Sequence, residues 1–413
     1  MTPRRSSAGV IVFALWLLVF SSASQIMIIS PILPRIAEEL SIGDSVLGTL
    51  VSAYALMVGI FAIISGPISD KIGRRRILLW GTGVMTLALV LHAFVVDYVS
   101  FLAVRVFAGM AGGILSGAAV SYVGDYFPYN RRGWATGWIM SGSAFGQIIG
   151  IPLGIVLAGD FGFRAPFMVF AVTMAGAFFL VLFRVPQPDV VRTSGRLTVG
   201  GAFRAYMTML RHPPIAWAAT AFFMMFLGVS LYVVYLPTWL ERDMGATPNA
   251  IAVLFFVGGV ANVLTGPQAG KLSDRIGRKG IILFSCIGLG IVMALTTVLV
   301  TEFWIAYPVF FMSMVLVAMR ISPFSALITA LVDDNRRGSL MSLSVALGQV
   351  GFAVGAAFAG WLFASTGYWS NTVLGAISVL AMGIIVWVAV PEPRGEVIAG
   401  VGPDAAPTGE VRG

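Results

Sequence analysis

The stretch Gly66-Pro-Ile-Ser-Asp70-Lys-Ile-Gly73-Arg74-Arg75 occurs twice in this chain, the second time as Gly270-Lys-Leu-Ser-Asp274-Arg-Ile-Gly277-Arg278-Lys279. The two copies lie half a chain apart. Three other markers recur in the same order at nearly the same spacing: Leu33-Pro34 with Leu236-Pro237, Asn130-Arg-Arg-Gly133 with Asn335-Arg-Arg-Gly338, and Gly146-Gln147 with Gly348-Gln349. Four markers at one long period mean that a single architectural unit is used twice.

What surrounds the repeated loops is apolar. Of 413 residues, 58% are hydrophobic and 11% charged, and the mean hydropathy is +0.93. Soluble domains carry about twice that charge, so the chain belongs in a bilayer. Twelve apolar runs, at 9–32, 46–68, 77–96, 99–123, 134–158, 165–184, 214–238, 248–269, 280–300, 303–331, 339–364 and 370–390, each supply the roughly 20 residues that a spanning helix needs. The expected fold is an all-α integral membrane protein with twelve transmembrane helices in two six-helix bundles. Residues 1–184 form the first bundle, 185–213 a cytoplasmic central loop, 214–390 the second bundle and 391–413 a disordered cytoplasmic tail. An even number of helices per half gives both halves the same orientation, so a pseudo-twofold axis runs along the membrane normal.

The net charge of +8 is explained by topology. With the N-terminus in the cytoplasm and sides alternating from there, only Arg35, Arg164 and Arg242 fall outside, and Arg105 and Arg320 fall within helices. Every other Lys and Arg falls inside, which is the positive-inside bias of a multi-pass protein of the plasma (inner) membrane with both termini cytoplasmic. The basic balance is then not a nucleic-acid footprint. The first apolar run is too long for a cleaved signal peptide. One cysteine, Cys286, and two histidines, His92 and His212, assemble no metal site, and neither a metal nor a cofactor is expected. His92 is expected at the interface near an outer helix end, and His212 in the inner loop.

The pattern Gly-x-x-x-Asp-x-x-Gly-Arg-Arg/Lys, filled at 66–75 and again at 270–279, resembles the signature loop of the major facilitator superfamily of secondary transporters. The resemblance covers residues 9 to 390. It implies a central cavity between two bundles, alternating access and no ATPase or other enzyme activity. Gly266 to Lys271 agrees, because its glycine spacing is wrong for a phosphate loop and Leu272 stands where Ser or Thr is needed. The resemblance further implies a cytoplasmic gating loop of Gly66, Asp70, Gly73 and Arg74 that latches one state, with Asp125 as the acceptor for Arg74. Gly270, Asp274, Gly277 and Arg278 form the twin, with Asp333 or Asp334 serving Arg278. Asp70→Asn is expected to slow transport without lowering expression.

Gly142, Gly146, Gly150 and Gly154 recur every fourth residue, with Pro152 among them. That spacing lines one helix face with glycine, permitting close helix contact and a hinge. It resembles the antiporter motif of drug-exporting members, with Ile151 separating Gly150 from the proline.

A charge at mid-bilayer costs at least about 2.5 kcal/mol, so Arg105 and Arg320 are candidates for function. Arg105-Val-Phe-Ala-Gly109 resembles the family's fourth-helix arginine motif, linked there to proton transfer. Two cavity-facing guanidinium groups would favour an anionic or polar-headed substrate. All the acids fall near helix ends or in loops. Related exporters carry an embedded acid nine residues before the Leu-Pro proline, and that position here is Gln25. Remaining proton sites are Asp44 or Glu38 at the outer mouth; the other options are anion exchange or facilitated diffusion. Further polar candidates for the cavity are Ser24, Tyr54, Gln147, Tyr232, Tyr235, Asn262 and Gln349, and Met224-Met225 would suit varied apolar cargo.

The expected function is efflux of small amphipathic, drug-like organic compounds by alternating access, with protons as coupling ion and the lipid bilayer and a small molecule as partners of a monomer. The rival within transport is a carrier of a small organic anion using Arg105 and Arg320. Outside transport stands a membrane-embedded sensor or enzyme, for which the chain offers neither an output domain nor convergent catalytic groups.

Overall fold

The structure is a computed structural model and describes residues 7–188, 206–332 and 337–392, with the side chains of residues 66, 67, 70, 129, 130, 337 and 338 outside the description. Asp333, Asp334 and most of the central loop and tail therefore lie outside the described residues, as does the side chain of Asp70.

Among the described residues there are twelve helices long and apolar enough to cross a membrane. They are α1 (Ala8–Met27), α2 (Asp44–Ile72), α3 (Arg74–Leu91), α4 (Tyr98–Tyr126), α5 (Arg131–Phe161), α6 (Arg164–Arg184), α7 (Pro213–Met244), α8 (Pro248–Ile276), α9 (Arg278–Leu299), α10 (Phe303–Thr329), α11 (Arg337–Thr366) and α12 (Tyr368–Ala389). Helices are the expected form, since a lipid environment offers backbone N–H and C=O groups no other partner. Large apolar side chains such as Trp80, Phe183 and Val388 point outward, as a lipid-facing surface requires.

The repeat seen in the sequence is a repeat in backbone geometry. The α2–α3 turn passes through Gly73 at φ 99°, ψ 143°, and the α8–α9 turn through Gly277 at φ 99°, ψ 144°. This region is essentially closed to a residue with a Cβ, which explains why both loops place glycine there. After α1 the chain breaks and restarts as a short helix, Leu33–Leu40, entered through Ile32 at φ −99°, ψ 3°. In α7 the same break occurs before Leu236–Met244, entered through Tyr235 at φ −103°, ψ 1°. Proline in the first turn starts both short helices, where its missing N–H is not needed.

Packing repeats as well. Helix α1 lies against α5 and α6, and α7 against α11 and α12; α2 lies against α4, and α8 against α10; α3 lies against α4 and α6, and α9 against α10 and α12. Among the described residues the halves meet along two long seams, α2 with α11 and α5 with α8, which exchange under the repeat, and the two short helices Leu33–Leu40 and Leu236–Met244 also touch. That exchange is the signature of a pseudo-twofold axis between two six-helix bundles. Below, the end of the molecule carrying the Gly73 and Gly277 turns is the motif face, and the end carrying the two Pro-started short helices is the far face.

His92 corrects an expectation. It is fully buried, its ring stacked on Phe167 with centroids 3.9 Å apart and its Nδ1 2.8 Å from the Ala88 carbonyl oxygen. Its neighbours Phe101 and Phe167 turn the end of α3 into an aromatic core inside the first half rather than an interface. His212 precedes α7 at the motif face, where its backbone carbonyl accepts from the N–H of Ile215. Asp97 caps α4 by accepting from the Ser100 N–H at 2.8 Å, and the side-chain and backbone hydrogen bonds from Ser100 hold its carboxyl below the ordinary carboxylate range.

Candidate functional site

At the motif face each polar contact named here stays within one half. Arg74 Nε donates to Asp125 Oδ2 at 2.6 Å, joining the start of α3 to the end of α4, and Arg74 Nη1 donates to Ser69 Oγ at 2.9 Å. Arg75 donates to the carbonyls of Val185 and Leu182 at 2.7 and 2.6 Å, tying the loop to the end of α6. In the twin, Arg278 Nη2 lies 3.7 Å from Asp274 Oδ1, Nη1 donates to the Ala326 carbonyl at 3.1 Å, and the Arg278 N–H donates to Glu392 at 2.7 Å. Arg278 thus finds partners in its own turn, α10 and the end of α12.

Beside Arg74 lies a cavity of about 210 Å³ walled by both halves. From the first half come Ala62, Ser65 and Ser69 of α2, Arg74 and Ile77 of α3, and Ile114, Ser116, Gly117, Ala118 and Ser121 of α4; from the second come Met341, Ser342 and Val345 of α11. Five hydroxyls, several apolar side chains and one guanidinium already held by Asp125 make a surface with little net charge. Helix α4 breaks at this point, with Gly117 at φ 72° separating Tyr98–Leu115 from Ala118–Tyr126. Sequence reading passed over these serines, since single hydroxyls on apolar helices carry no pattern.

Deeper in the first half three of the expected residues come together. Gln25 Nε2 donates to the Tyr54 hydroxyl at 2.8 Å, and the Arg105 guanidinium lies 4.3 Å over the Tyr54 ring while its Nε donates to the Leu50 carbonyl at 3.2 Å. All three side chains are buried, and Arg105 Nη1, Gln25 Oε1 and the neighbouring Ser24 Oγ have no partner. The cation–π contact and one backbone carbonyl take the place of a carboxylate counter-ion.

Arg320 is not beside this cluster. It is fully buried in the second half with none of its three nitrogens hydrogen-bonded, within electrostatic reach of Cys286 on α9. Its neighbours Ile321 and Ser322 are exposed, whereas Arg320 is enclosed by the second half. Both arginines were expected to face one cavity; here Arg105 lies with Tyr54 and Leu50 in the first half and Arg320 is enclosed in the second. Tyr232 is likewise interior, its hydroxyl 3.2 Å from Thr296 Oγ1 and 3.3 Å from Ser313 Oγ, and Met225 is buried in the core of the second half.

The repeated Gly-Gln pair places one glutamine at each seam. The backbone of Gln147 on α5 lies against Gly259 of α8, and the side chain of Gln349 on α11 lies against Gly59 of α2. Asn262 sits half-buried one turn from Gly259. The glycine stripe of α5 packs on α1: Gly142 faces Trp16 and Phe20, Gly146 and Gly150 face Ser24, and Gly154 faces Ile28. Between Gly146 and Gly150 the helix opens into a π turn directly before Ile151-Pro152. The proline lacks the N–H that a regular ladder would need, and the wider turn absorbs that defect.

At the far face the bonds cross between halves. Tyr235, expected in the cavity, instead closes this seam: its hydroxyl donates to the Asp44 carbonyl at 2.6 Å and accepts from the Gly48 N–H at 2.8 Å. Arg242 donates to Asp44 Oδ2, Ser30 Oγ donates to the Val234 carbonyl at 2.8 Å, and Ser52 Oγ donates to the Ala353 carbonyl at 2.5 Å. Arg35 pairs with Glu38 at 2.8 Å and reaches Glu241 at 3.9 Å. The charges on opposite halves were visible in the sequence, but nothing local pairs residues some 200 positions apart.

Comparison with known proteins agrees with this architecture. The Major Facilitator Superfamily pattern matches residues 15–319 and 218–412. The multidrug resistance protein MdtG of Proteus mirabilis is 26% identical over 410 residues, covering 95% of this chain and 99% of that protein. The uncharacterized MFS-type transporter YwfA of Bacillus subtilis is 26% identical over 379 residues, covering 91% of this chain and 90% of that protein. Among solved structures, a D-xylose–proton symporter superposes with a TM-score of 0.78 at 18% identity, covering 95% of this chain and 100% of that one, a likeness of fold alone. The duplicated turn, the exchangeable seams and the matched pattern place the chain in the major facilitator superfamily: it is a multi-pass membrane transporter of that family.

Proposed function

We propose that this transporter exports small amphipathic organic compounds by alternating access. The observation that carries the reading is the asymmetry of the interface: the far face is bonded shut across the halves, while the motif face holds a cavity walled by both. If the Lys- and Arg-rich motif face is cytoplasmic, as the positive-inside bias suggests, this is the state that takes cargo from the cytoplasm or inner leaflet. The walls favour an amphipathic cargo, with apolar side chains for its body and hydroxyls for a polar group. At about 210 Å³ the space is smaller than a drug-sized pocket, so a cargo is accommodated by further parting of the halves. The likeness to MdtG supports the drug-export branch.

Proton drive is part of the proposal; Gln25 holds no proton to exchange, so coupling does not run through that position. An organic anion is the second reading, favoured by the unpartnered Nη1 of Arg105 beside Gln25 and Tyr54.

The test is transport in proteoliposomes against a panel of cationic, neutral and anionic amphipathic dyes, with and without an imposed pH gradient. The proposal expects gradient-accelerated movement of neutral or cationic dyes, lost in Arg74→Gln. Movement confined to anions, and lost in Arg105→Gln, would transfer the assignment to the second reading; a protein that moves no dye under either condition would overturn export.

A further inference from the structure

Asp44, the first residue of α2, meets the other half through two groups, and Gly48 one turn on adds a third contact. Its Oδ2 accepts from the Arg242 guanidinium, its backbone carbonyl accepts from the Tyr235 hydroxyl at 2.6 Å, and one turn later the Gly48 N–H donates to that same hydroxyl at 2.8 Å. The Asp44 side chain is 19% exposed, whereas Arg242 is 41% exposed. Carboxylate atom Oδ1 is buried with no hydrogen-bond partner. The other acids of this face are arranged differently: Glu39 pairs with Arg164 inside the first half at 3.1 Å, Glu38 pairs with Arg35 in its own turn, and Glu241 reaches across only at 3.9 Å to an arginine it shares.

We propose that Asp44 is a proton-binding switch for the far face: its ionised form holds Arg242 and keeps the halves together, and a proton on its bare oxygen releases them. This rests on the reading of the chain as an alternating-access transporter. The geometry gives the reason. The ionised carboxylate is held across the seam by one guanidinium on one oxygen, so the ion pair disappears when a proton is added. Arg242 then returns to water at little cost because it is already well exposed. The groups against Asp44 are Arg242 and Tyr235 from α7 and its short extension and the backbone of Gly360 from α11; beyond them Arg35 links Glu38 with Glu241 across the seam, and Tyr98 of α4 meets α2 at Thr49. Protonation of Glu241 would loosen the second, longer pair in the same direction. Because Asp44 takes and releases its proton on one side, it reports the pH of that side and is not the carrier of a coupled proton.

The experiment places spin labels at Asp160→Cys and Asn249→Cys in a Cys286→Ala background, next to the point where Gly159 meets Pro248 across the α5–α8 seam. Distances are measured in nanodiscs, where both faces see one pH. Lowering the pH from about 7 to about 3 passes through about 3.9, the ordinary value of an aspartate carboxyl. It is expected to raise the open-to-closed ratio about tenfold, equivalent to ~1.4 kcal/mol. Asp44→Asn and Arg242→Gln are each expected to be open at both pH values, with the response lost; Arg242→Gln keeps the carboxyl, so it serves if Asp44→Asn does not fold. Glu241→Gln is expected to keep most of the response. An unchanged population in the parent protein, a full response in Asp44→Asn or Arg242→Gln, or its loss in Glu241→Gln would each overturn the assignment. No cargo is used, so failure of export and failure of the switch are separable: a pH-driven opening without dye transport leaves the switch standing.

Discussion

The two ends of the interface between the halves are built on opposite principles. At the far face, Tyr235, Arg242, Ser30 and Ser52 bond directly to the other half. At the motif face the strongest groups are spent inside their own half, Arg74 on Asp125 and Arg75 on the α6 carbonyls. A clamp made within one half stiffens that half without holding it to its neighbour. The difference teaches how one fold has a tight end and a parted end with the same kinds of residue: what matters is whether partners are local or some 200 residues away.

The comparison is broken most strongly where backbone meets backbone. A Cβ at Gly48 would collide with the Ala356 carbonyl oxygen across the α2–α11 seam, whereas Gly266, at the motif end of α8, has open space around it. Overpacking costs about 1–3 kcal/mol and more against rigid backbone, so Gly48→Ala should force the far face apart and cut transport at least about tenfold. Gly266→Ala should transport normally; dye efflux compares the pair.

The repeated turns offer a finer test. Gly73 and Gly277 share a backbone conformation that costs a residue with a Cβ about 1–3 kcal/mol. A Cβ at Gly73 would also press on the Gln187 amide at 2.7 Å, while at Gly277 the nearest atom is Glu392 Oε1 at 3.9 Å. Both Ala variants should lower the melting temperature in detergent, Gly73→Ala by more. Equal losses would show that the loops differ less than their surroundings suggest.

The smallest effect is expected from the paired arginines. Arg74 and Asp125 are largely shielded, at 18% and 23% side-chain exposure, whereas Asp274 beside Arg278 is 66% exposed. Exposed pairs contribute about 0–1 kcal/mol. Asp125→Asn should therefore destabilise the protein measurably in a denaturation assay, and Asp274→Asn should be close to silent.

The fold was legible because the bilayer imposes a length on each helix and a side on each cation, and both are written in the chain. The Arg74–Asp125 pair was legible because both residues end helices at the same face. Rotation about a helix axis was not: α3 and α10 are apolar all round, so nothing showed that His92 turns toward Phe167 or that Arg320 is enclosed while Ser322 is exposed. The far-face clamp was illegible for a different reason, since Asp44 and Arg242 meet only once both halves have folded and docked. Tyr235 illustrates the same limit: as a polar residue on an apolar helix it was expected to face the cavity, and its hydroxyl instead closes the seam.

The central claim is that the far face must open for cargo to leave, and a reversible lock tests it directly. The ideal Cβ of Gly159 lies 3.7 Å from Pro248 Cβ, within the range a disulfide spans. In a Cys286→Ala background, Gly159→Cys with Pro248→Cys should cross-link on mild oxidation, abolish dye transport in proteoliposomes and regain it on reduction. Undiminished transport by fully cross-linked protein would contradict the account.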